Sequence, residues 1–264
     1  MRKLSVILGS MVVAVVLLYV GIVYLFMEKY RAPAPPAVSA KAPRFKAPNP
    51  EDAPPQLRPA VLLGYDIMMH TATYAPAYTG NKLNCSSCHF AAGLVDEGIP
   101  LVGVAATYPK YRKRTNYATD LVARTNECFE RSMNGRAAPV TSREMQALQA
   151  YFAWISRGTP IYSDVPWLGV KRVQPTRDPD RANGQSIFAV RCALCHGADG
   201  AGTVQAPPLW GPQSFNDGAG MAKLETFASF VHANMPKGTP DLSVDQAYDV
   251  AAYVTKQPRP HFKE

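Results

Sequence analysis

Acidic residues are in short supply. The 264-residue chain carries Asp+Glu 20 against Lys+Arg 28, a formal net charge of +8. That balance fits anionic partners: nucleic acid, anionic lipid or small oxyanions. Strand signals are sparse, which argues against a sandwich or barrel and for a mainly α chain with long loops. Charge is absent altogether from Leu4–Phe26. As a helix this stretch reaches about 34 Å at roughly 1.5 Å per residue, and a bilayer core needs about 20 residues. A signal-peptide core of about 7–15 residues would be shorter, so residues 1–31 read as one uncleaved transmembrane anchor. The rival is a long signal peptide cut near Ala37-Val38-Ser39-Ala40. Arg2 and Lys3 precede the span and Lys29 and Arg31 follow it, so charge orients it weakly. Residues 32–60 lack any apolar period and hold nine prolines. They read as a semi-extended linker, reaching up to roughly 90 Å at about 3.1 Å per residue.

Cysteine is scarce as well, five in all. Four of them fall into CSSCH (Cys85–His89) and CALCH (Cys192–His196). Neither site has a second ligand pair at finger spacing, which disfavours zinc. C-x-x-C-H is the attachment pattern of c-type haem. Two thiols must reach two vinyl groups on one porphyrin edge, and the next histidine then comes under the iron. The pattern therefore assigns two covalently bound haem c groups. Cys85, Cys88, Cys192 and Cys195 would attach them, with His89 and His196 as proximal ligands. Haem of this kind is attached outside the bacterial cytoplasm. The soluble part is thus expected on the periplasmic face of the inner membrane, which removes most of the nucleic-acid reading.

Each motif opens a similar unit, offset by about 107 residues from Cys85 to Cys192. The expected domains are 61–166 and 175–264, joined by the proline-rich TPIYSDVPWLGVKRVQPTRDPD. Helical patterns surround each motif. Residues 141–158 start on Thr141 or Ser142 and bury Met145, Leu148, Tyr151/Phe152 and Ile155, with Gly158 as the stop. Residues 243–257 start on Ser243 and bury Val250, Tyr253 and Val254. Residues 183–195 carry apolar Ile187, Phe188, Val190, Ala193 and Leu194. A haem motif followed by a helix rich in Tyr or Phe is the layout of a small cytochrome c domain.

The sixth iron ligands separate the two halves. The second half offers Met221 and Met235. Pro236 restricts Met235 to an extended backbone, and a methionine on such a loop suits haem iron, so Met235 is the expected ligand. The first half offers His70, Cys128, Met133 and Met145, of which Met145 reads as core and His70 as structural. Leu121, Thr125 and Cys128 recur at i, i+4 and i+7, so Cys128 falls on or beside a buried helical stripe that ends at Asn134-Gly135. An inert core thiol is one reading. Ligation of iron is the other, because a free thiol in an oxidising compartment invites an explanation.

Several stretches resemble the dihaem cytochrome c family of thiosulfate dehydrogenases. They are GNKLNCSSCHFAAGL, YPKYRKRTN, RTNECFERSMNGRAAP, CALCHGADGAG, PPLWGPQSFNDGAGM and FVHANMP. The resemblance implies His/Cys ligation of the first, catalytic haem, by His89 and Cys128, and His/Met ligation of the second, by His196 and Met235. Some members carry a lysine before that methionine, where this chain has Asn234. The resemblance also implies that two thiosulfates become one tetrathionate, with the direction of the reaction left open, and that electrons pass to an acceptor such as a cytochrome or terminal oxidase. Guanidinium groups would offset the repulsion between two dianions. Lys110, Arg112, Lys113, Arg114 and Arg124 are the candidates, with Arg114 and Arg124 favoured by their place relative to Cys128. The alternative is a membrane-tethered dihaem electron carrier without substrate chemistry of its own.

Overall fold

A computed structural model describes residues 2–29 and 45–263, with backbone only for 2–10 and Val12. Helix α1 spans Arg2–Lys29, 28 residues. Its described large apolar side chains, from Met11 to Met27, are all exposed. Among the described residues no helix is long and apolar enough to cross a membrane. The candidate cleavage point at Ala37–Ala40 lies outside the described residues.

Residues from Phe45 onward belong to one compact body. Folding begins earlier than the expected first domain. The stretch 45–60, expected as linker, packs on the body: Phe45 stands edge-on to Trp167 at 5.4 Å, and Ala53 is fully buried. The Asn49 carbonyl accepts from Trp154 Nε1 at 3.0 Å. Proline and alanine composition reads as linker, but here those residues cap a core.

The first domain is built on α2 (Arg58–Met69) and α6 (Arg143–Ile155). Between them in sequence come α3 (Thr71–Tyr74), α4 (Phe90–Gly93), a hairpin of β1 (Lys110–Arg112) and β2 (Tyr117–Thr119), and α5 (Leu121–Glu127). The hairpin is antiparallel, with Lys110 opposite Thr119 and Arg112 opposite Tyr117. Ser142 caps α6 by accepting from Met145 N at 3.2 Å. Met145, Leu148, Tyr151, Phe152 and Ile155 are buried, as the periodicity predicts. Each fully buried side chain of this kind contributes about 1.5–3 kcal/mol relative to exposure. Gly64 sets the α2–α6 crossing, since a Cβ there would overlap the Ala147 carbonyl oxygen.

The second domain repeats the device. It comprises α7 (Arg181–Arg191), α8 (Ala193–His196), α9 (Leu224–Asn234) and α10 (Val244–Val254). Helix α10 packs on both α7 and α9. Gly184 in α7 meets the Asp249 carbonyl oxygen of α10 closely enough to leave no room for a Cβ. Ser243 and Gln246 form a reciprocal capping box on α10. Phe188, Trp210 and Tyr253 make an aromatic cluster with ring centroids 5.0–5.9 Å apart. The apolar pattern of 183–195 is only half used, because Val190 and Leu194 are 80% and 87% exposed. The helix breaks at Cys192, and the turn that follows points Leu194 outward.

The two domains share a polar seam. Asn81 Nδ2 donates to the Ser132 and Ser214 carbonyls at 2.8 and 3.1 Å, and Asn134 Nδ2 donates to Ser214 at 2.6 Å. Asn216 donates through its backbone to Arg131 and through its side chain to Glu130. The segment 128–134 of the first domain is thereby clasped by the loop 214–216 of the second.

Candidate functional site

The first C-x-x-C-H turn is pinned before any ligand enters. Asn84 Oδ1 accepts from Thr71 N at 2.8 Å and Thr71 Oγ1 accepts from Cys85 N at 2.9 Å. Asn84 and Ser87 close a capping box on the turn. His89 Nδ1 lies 2.6 Å from the Ile99 carbonyl oxygen. A carbonyl only accepts, so Nδ1 carries the hydrogen and Nε2 keeps its lone pair for a metal. Burial lowers the His89 pKa to about 4, against the opposing pull of that carbonyl. The imidazole is therefore neutral at ordinary pH, the form that ligates.

Cys85, Cys88, His89 and Cys128 line one cavity of about 290 Å³. Its other walls include Leu101, Leu148, Phe152 and Phe215. Burial raises the Cys85 thiol to about 11 and the Cys88 thiol to about 12. These thiols are neutral in an apolar cavity beside a metal-ready imidazole, and that donor set fits a c-type haem. Lys110, Arg112 and Arg124 line the same cavity.

The fifth cysteine faces this cavity. Helix α5 does not run on to Asn134-Gly135: it stops at Glu127, and Cys128–Ser132 form a π-turn, with Met133 N donating to Cys128 O at 3.0 Å. Such wide turns re-aim side chains and recur at functional sites. Asn134 adopts φ 50°, a left-handed conformation that Asn tolerates, and Gly135 has no space for a Cβ against the Tyr78 carbonyl. Leu121, Thr125 and Cys128, expected as a buried stripe, are half-buried and line the cavity instead. Arg124 Nη1 donates to Cys128 Sγ at 2.8 Å. Cys128, followed by other neighbours, pushes the Arg124 pKa up despite burial.

Of the two favoured arginines, Arg124 reaches the cavity and Arg114 does not. Arg114 is exposed, while Arg112, two residues earlier on β1, lines the wall. Strand alternation would put Arg112 and Arg114 on one face, but β1 ends at Arg112 and Arg114 falls in the turn. Glu127 was missed too, although it stands three residues after Arg124, the spacing of a helical ion pair. Met221, from the second domain, also lines this first cavity, and Met145 lies in the core. His70 is exposed between α2 and α3.

The second motif is built in parallel. His196 Nδ1 lies 2.8 Å from the Pro207 carbonyl, which again leaves Nε2 for a metal, and burial lowers its pKa. Cys192 is half-buried, with its thiol raised by burial to about 11, and Cys195 is exposed. Met235 is half-buried at the end of α9. The residue before it ties the two C-x-x-C-H regions together. Asn234 Oδ1 accepts from Gly98 N at 2.6 Å, and its Nδ2 donates to Phe230 O. Gly98 precedes Ile99, the residue that holds His89. Phe90, next to His89, stands edge-on to Phe230 at 5.8 Å.

Two helical domains, each with a C-x-x-C-H turn whose histidine is held by a backbone carbonyl, define a tandem cytochrome c protein. Comparison with known proteins agrees. Residues 72–161 match the family described as SoxA/TsdA, cytochrome c domain, and residues 179–254 match cytochrome C oxidase, cbb3-type, subunit III. The thiosulfate dehydrogenase of Allochromatium vinosum is 37% identical over 97% of this chain and 95% of that protein. That of Thiomonas intermedia is 40% identical over 81% of this chain and 71% of its own. The solved thiosulfate dehydrogenase (TsdBA) of Marichromatium purpuratum superposes with a TM-score of 0.78 at 34% identity. It covers 82% of this chain, which spans 50% of that one. The chain belongs to the thiosulfate dehydrogenase family.

Proposed function

We propose that this protein is a dihaem cytochrome c that oxidises two thiosulfates to one tetrathionate at the first cavity and passes the electrons through the second domain. The observation that carries this reading is the meeting of Cys128, His89 and the cations Arg112, Arg124 and Lys110 on one cavity. When bound, each haem supplies one electron-accepting iron, so two match the two electrons released.

The chain's own residues divide the work. Cys85 and Cys88 would hold the first haem, with His89 and Cys128 on the same cavity to bind its iron. Cys192 and Cys195 would hold the second, with His196 and Met235 to bind its iron. Arg124 and Arg112 bind the thiosulfate oxyanions and offset their mutual repulsion, which for like unit charges about 4 Å apart is roughly 4 kcal/mol at an effective dielectric of 20. Arg124 also offers the Cys128 sulfur a partner away from the metal. The Gly98–Asn234 bond and the Phe90–Phe230 contact give a short bridge between the two haem regions. The uncharged run Leu4–Phe26 is the sequence feature that supports an anchor in the inner membrane with the cytochrome domains in the periplasm, and the acceptor is a cytochrome or a terminal oxidase. The alternative, a carrier without substrate chemistry, does not account for a cysteine paired with an arginine inside a cationic cavity.

The test compares wild-type protein with Cys128→Gly. A thiolate-to-iron signal in near-infrared magnetic circular dichroism, lost in the variant together with thiosulfate-dependent reduction of ferricyanide, supports the reading. Two histidine/methionine haems and no reaction with thiosulfate would sink it.

A further inference from the structure

One carboxylate stands among the cations of the first cavity. Glu127 ends α5, and its side chain is 12% exposed. Its Oε2 lies 3.3 Å from Arg112 Nη2 and 3.7 Å from Arg124 Nη1. Arg112 comes from β1 and Arg124 from α5, so one oxygen joins hairpin to helix. Both arginines line the cavity, while Glu127 does not. The carboxylate therefore stands behind the guanidinium groups, out of the cavity wall. Arg124 Nη1 meets both this carboxylate and Cys128 Sγ, the latter at 2.8 Å. Arg112 Nη1 also reaches the Tyr108 hydroxyl at 3.4 Å, and Tyr108 is itself on the wall.

We propose that Glu127 is a positioning residue of the oxyanion site, holding the Arg112 and Arg124 guanidinium groups side by side and facing the cavity. The inference rests on reading that cavity as the thiosulfate site. Two guanidinium groups brought together in a half-buried wall repel each other, and both side chains have long flexible stems. A shared anion behind them removes both difficulties. Each guanidinium has five N–H donors, and a single contact to Glu127 leaves the others free for an oxyanion. One Arg124 nitrogen is thus shared between the Cys128 sulfur at 2.8 Å and the more distant carboxylate at 3.7 Å, which fixes the direction from which the guanidinium reaches the sulfur.

Removal of the charge separates this role from a trivial one. A carboxylate that did nothing but stand near the site would repel a dianion, and its loss would tighten binding. A carboxylate that aligns the arginines weakens binding when lost.

The experiment uses the haem-loaded full chain, with Glu127→Gln, which keeps the shape and removes the charge, and Glu127→Asp, which keeps the charge on a shorter arm. For Glu127→Gln the KM for thiosulfate is expected to rise about three- to tenfold, with kcat changed less. Glu127→Asp is expected to recover part of that rise. The thiolate-to-iron signal of the oxidised protein is expected to become heterogeneous in Glu127→Gln, as Arg124, no longer held by the carboxylate, reaches the Cys128 sulfur in more than one orientation. A KM that is unchanged or lower overturns the proposal. Should Glu127→Gln fail to load two haems, Glu127→Asp carries the test, with a smaller KM rise expected and an unchanged KM refuting it. Failure of the functional reading looks different, because wild-type protein would then not oxidise thiosulfate.

Discussion

Asp249 offers the clearest stability test. It is fully buried in α10 and accepts four hydrogen bonds. Oδ1 takes Arg177 Nη1 at 2.9 Å and Asp180 N at 2.6 Å, and Oδ2 takes Arg177 Nη2 at 2.6 Å and Asn183 Nδ2 at 2.7 Å. The carboxylate thus ties the interdomain connection and the start of α7 to α10, beside the Gly184 crossing. Asp249→Asn keeps the shape, removes the charge and turns one acceptor into a donor facing other donors. Breaking a buried ion pair costs about 3–5 kcal/mol, but Arg177 is half-exposed and regains water, so about 2–4 kcal/mol is expected. Burial pushes the Asp249 carboxyl up, yet the Arg177, Asp180 and Asn183 bonds outweigh it and hold it below the usual carboxylate range. Its contribution is therefore complete above the unfolded-chain value of about 3.9 and fades as pH falls through the lower folded value. Guanidinium titrations of the haem-loaded protein, followed by far-ultraviolet circular dichroism, read this directly. The variant should have a lower midpoint at pH 7, and the gap to wild type should narrow in acid. Equal midpoints at pH 7, or a gap that widens in acid, would refute the reasoning.

Three further outcomes follow from the geometry. Arg112→Gln should raise the KM for thiosulfate more than Arg114→Gln does, because Arg112 lines the cavity and Arg114 is exposed; steady-state kinetics with ferricyanide as acceptor would show the order. Asn234→Ala removes one bond across the seam and one within α9 and should cost about 1–3 kcal/mol, measured by denaturation, while electron paramagnetic resonance shows a less homogeneous second haem. Gly184→Ala places a methyl group against the Asp249 carbonyl, and overpacking of this kind costs about 1–3 kcal/mol. A melting temperature equal to wild type would contradict that contact.

Much of the protein was legible because its signals are local. Ser142 and Ser243 start their helices from within three residues. The C-x-x-C-H turns fit c-type haem through spacing alone, and the apolar face of 141–158 is a repeat inside one element. Where the sequence misled, the deciding contacts lay far along the chain. Residues 45–60 have a linker's composition, and only Trp154 and Trp167 make them part of a core. One exception is local: Val190 and Leu194 are apolar yet exposed, and the helix breaks at Cys192 between them.

By itself, the sequence determined two haem motifs, a mainly helical fold, a cationic run near a lone cysteine and the family they resemble. Tertiary structure alone decided which of those cations meet Cys128. Whether the thiol faced core or cavity depended on a π-turn held by Asn81, Asn134 and Asn216 across the domain seam. Arg112 replaced Arg114 at the cavity because a short hairpin and Glu127 orient it there. Gly98 and Asn234 are 136 residues apart and share a hydrogen bond of 2.6 Å. Periodicity and spacing report on neighbours within a few residues, while side-chain direction at a site is set by whichever distant surface packs against it.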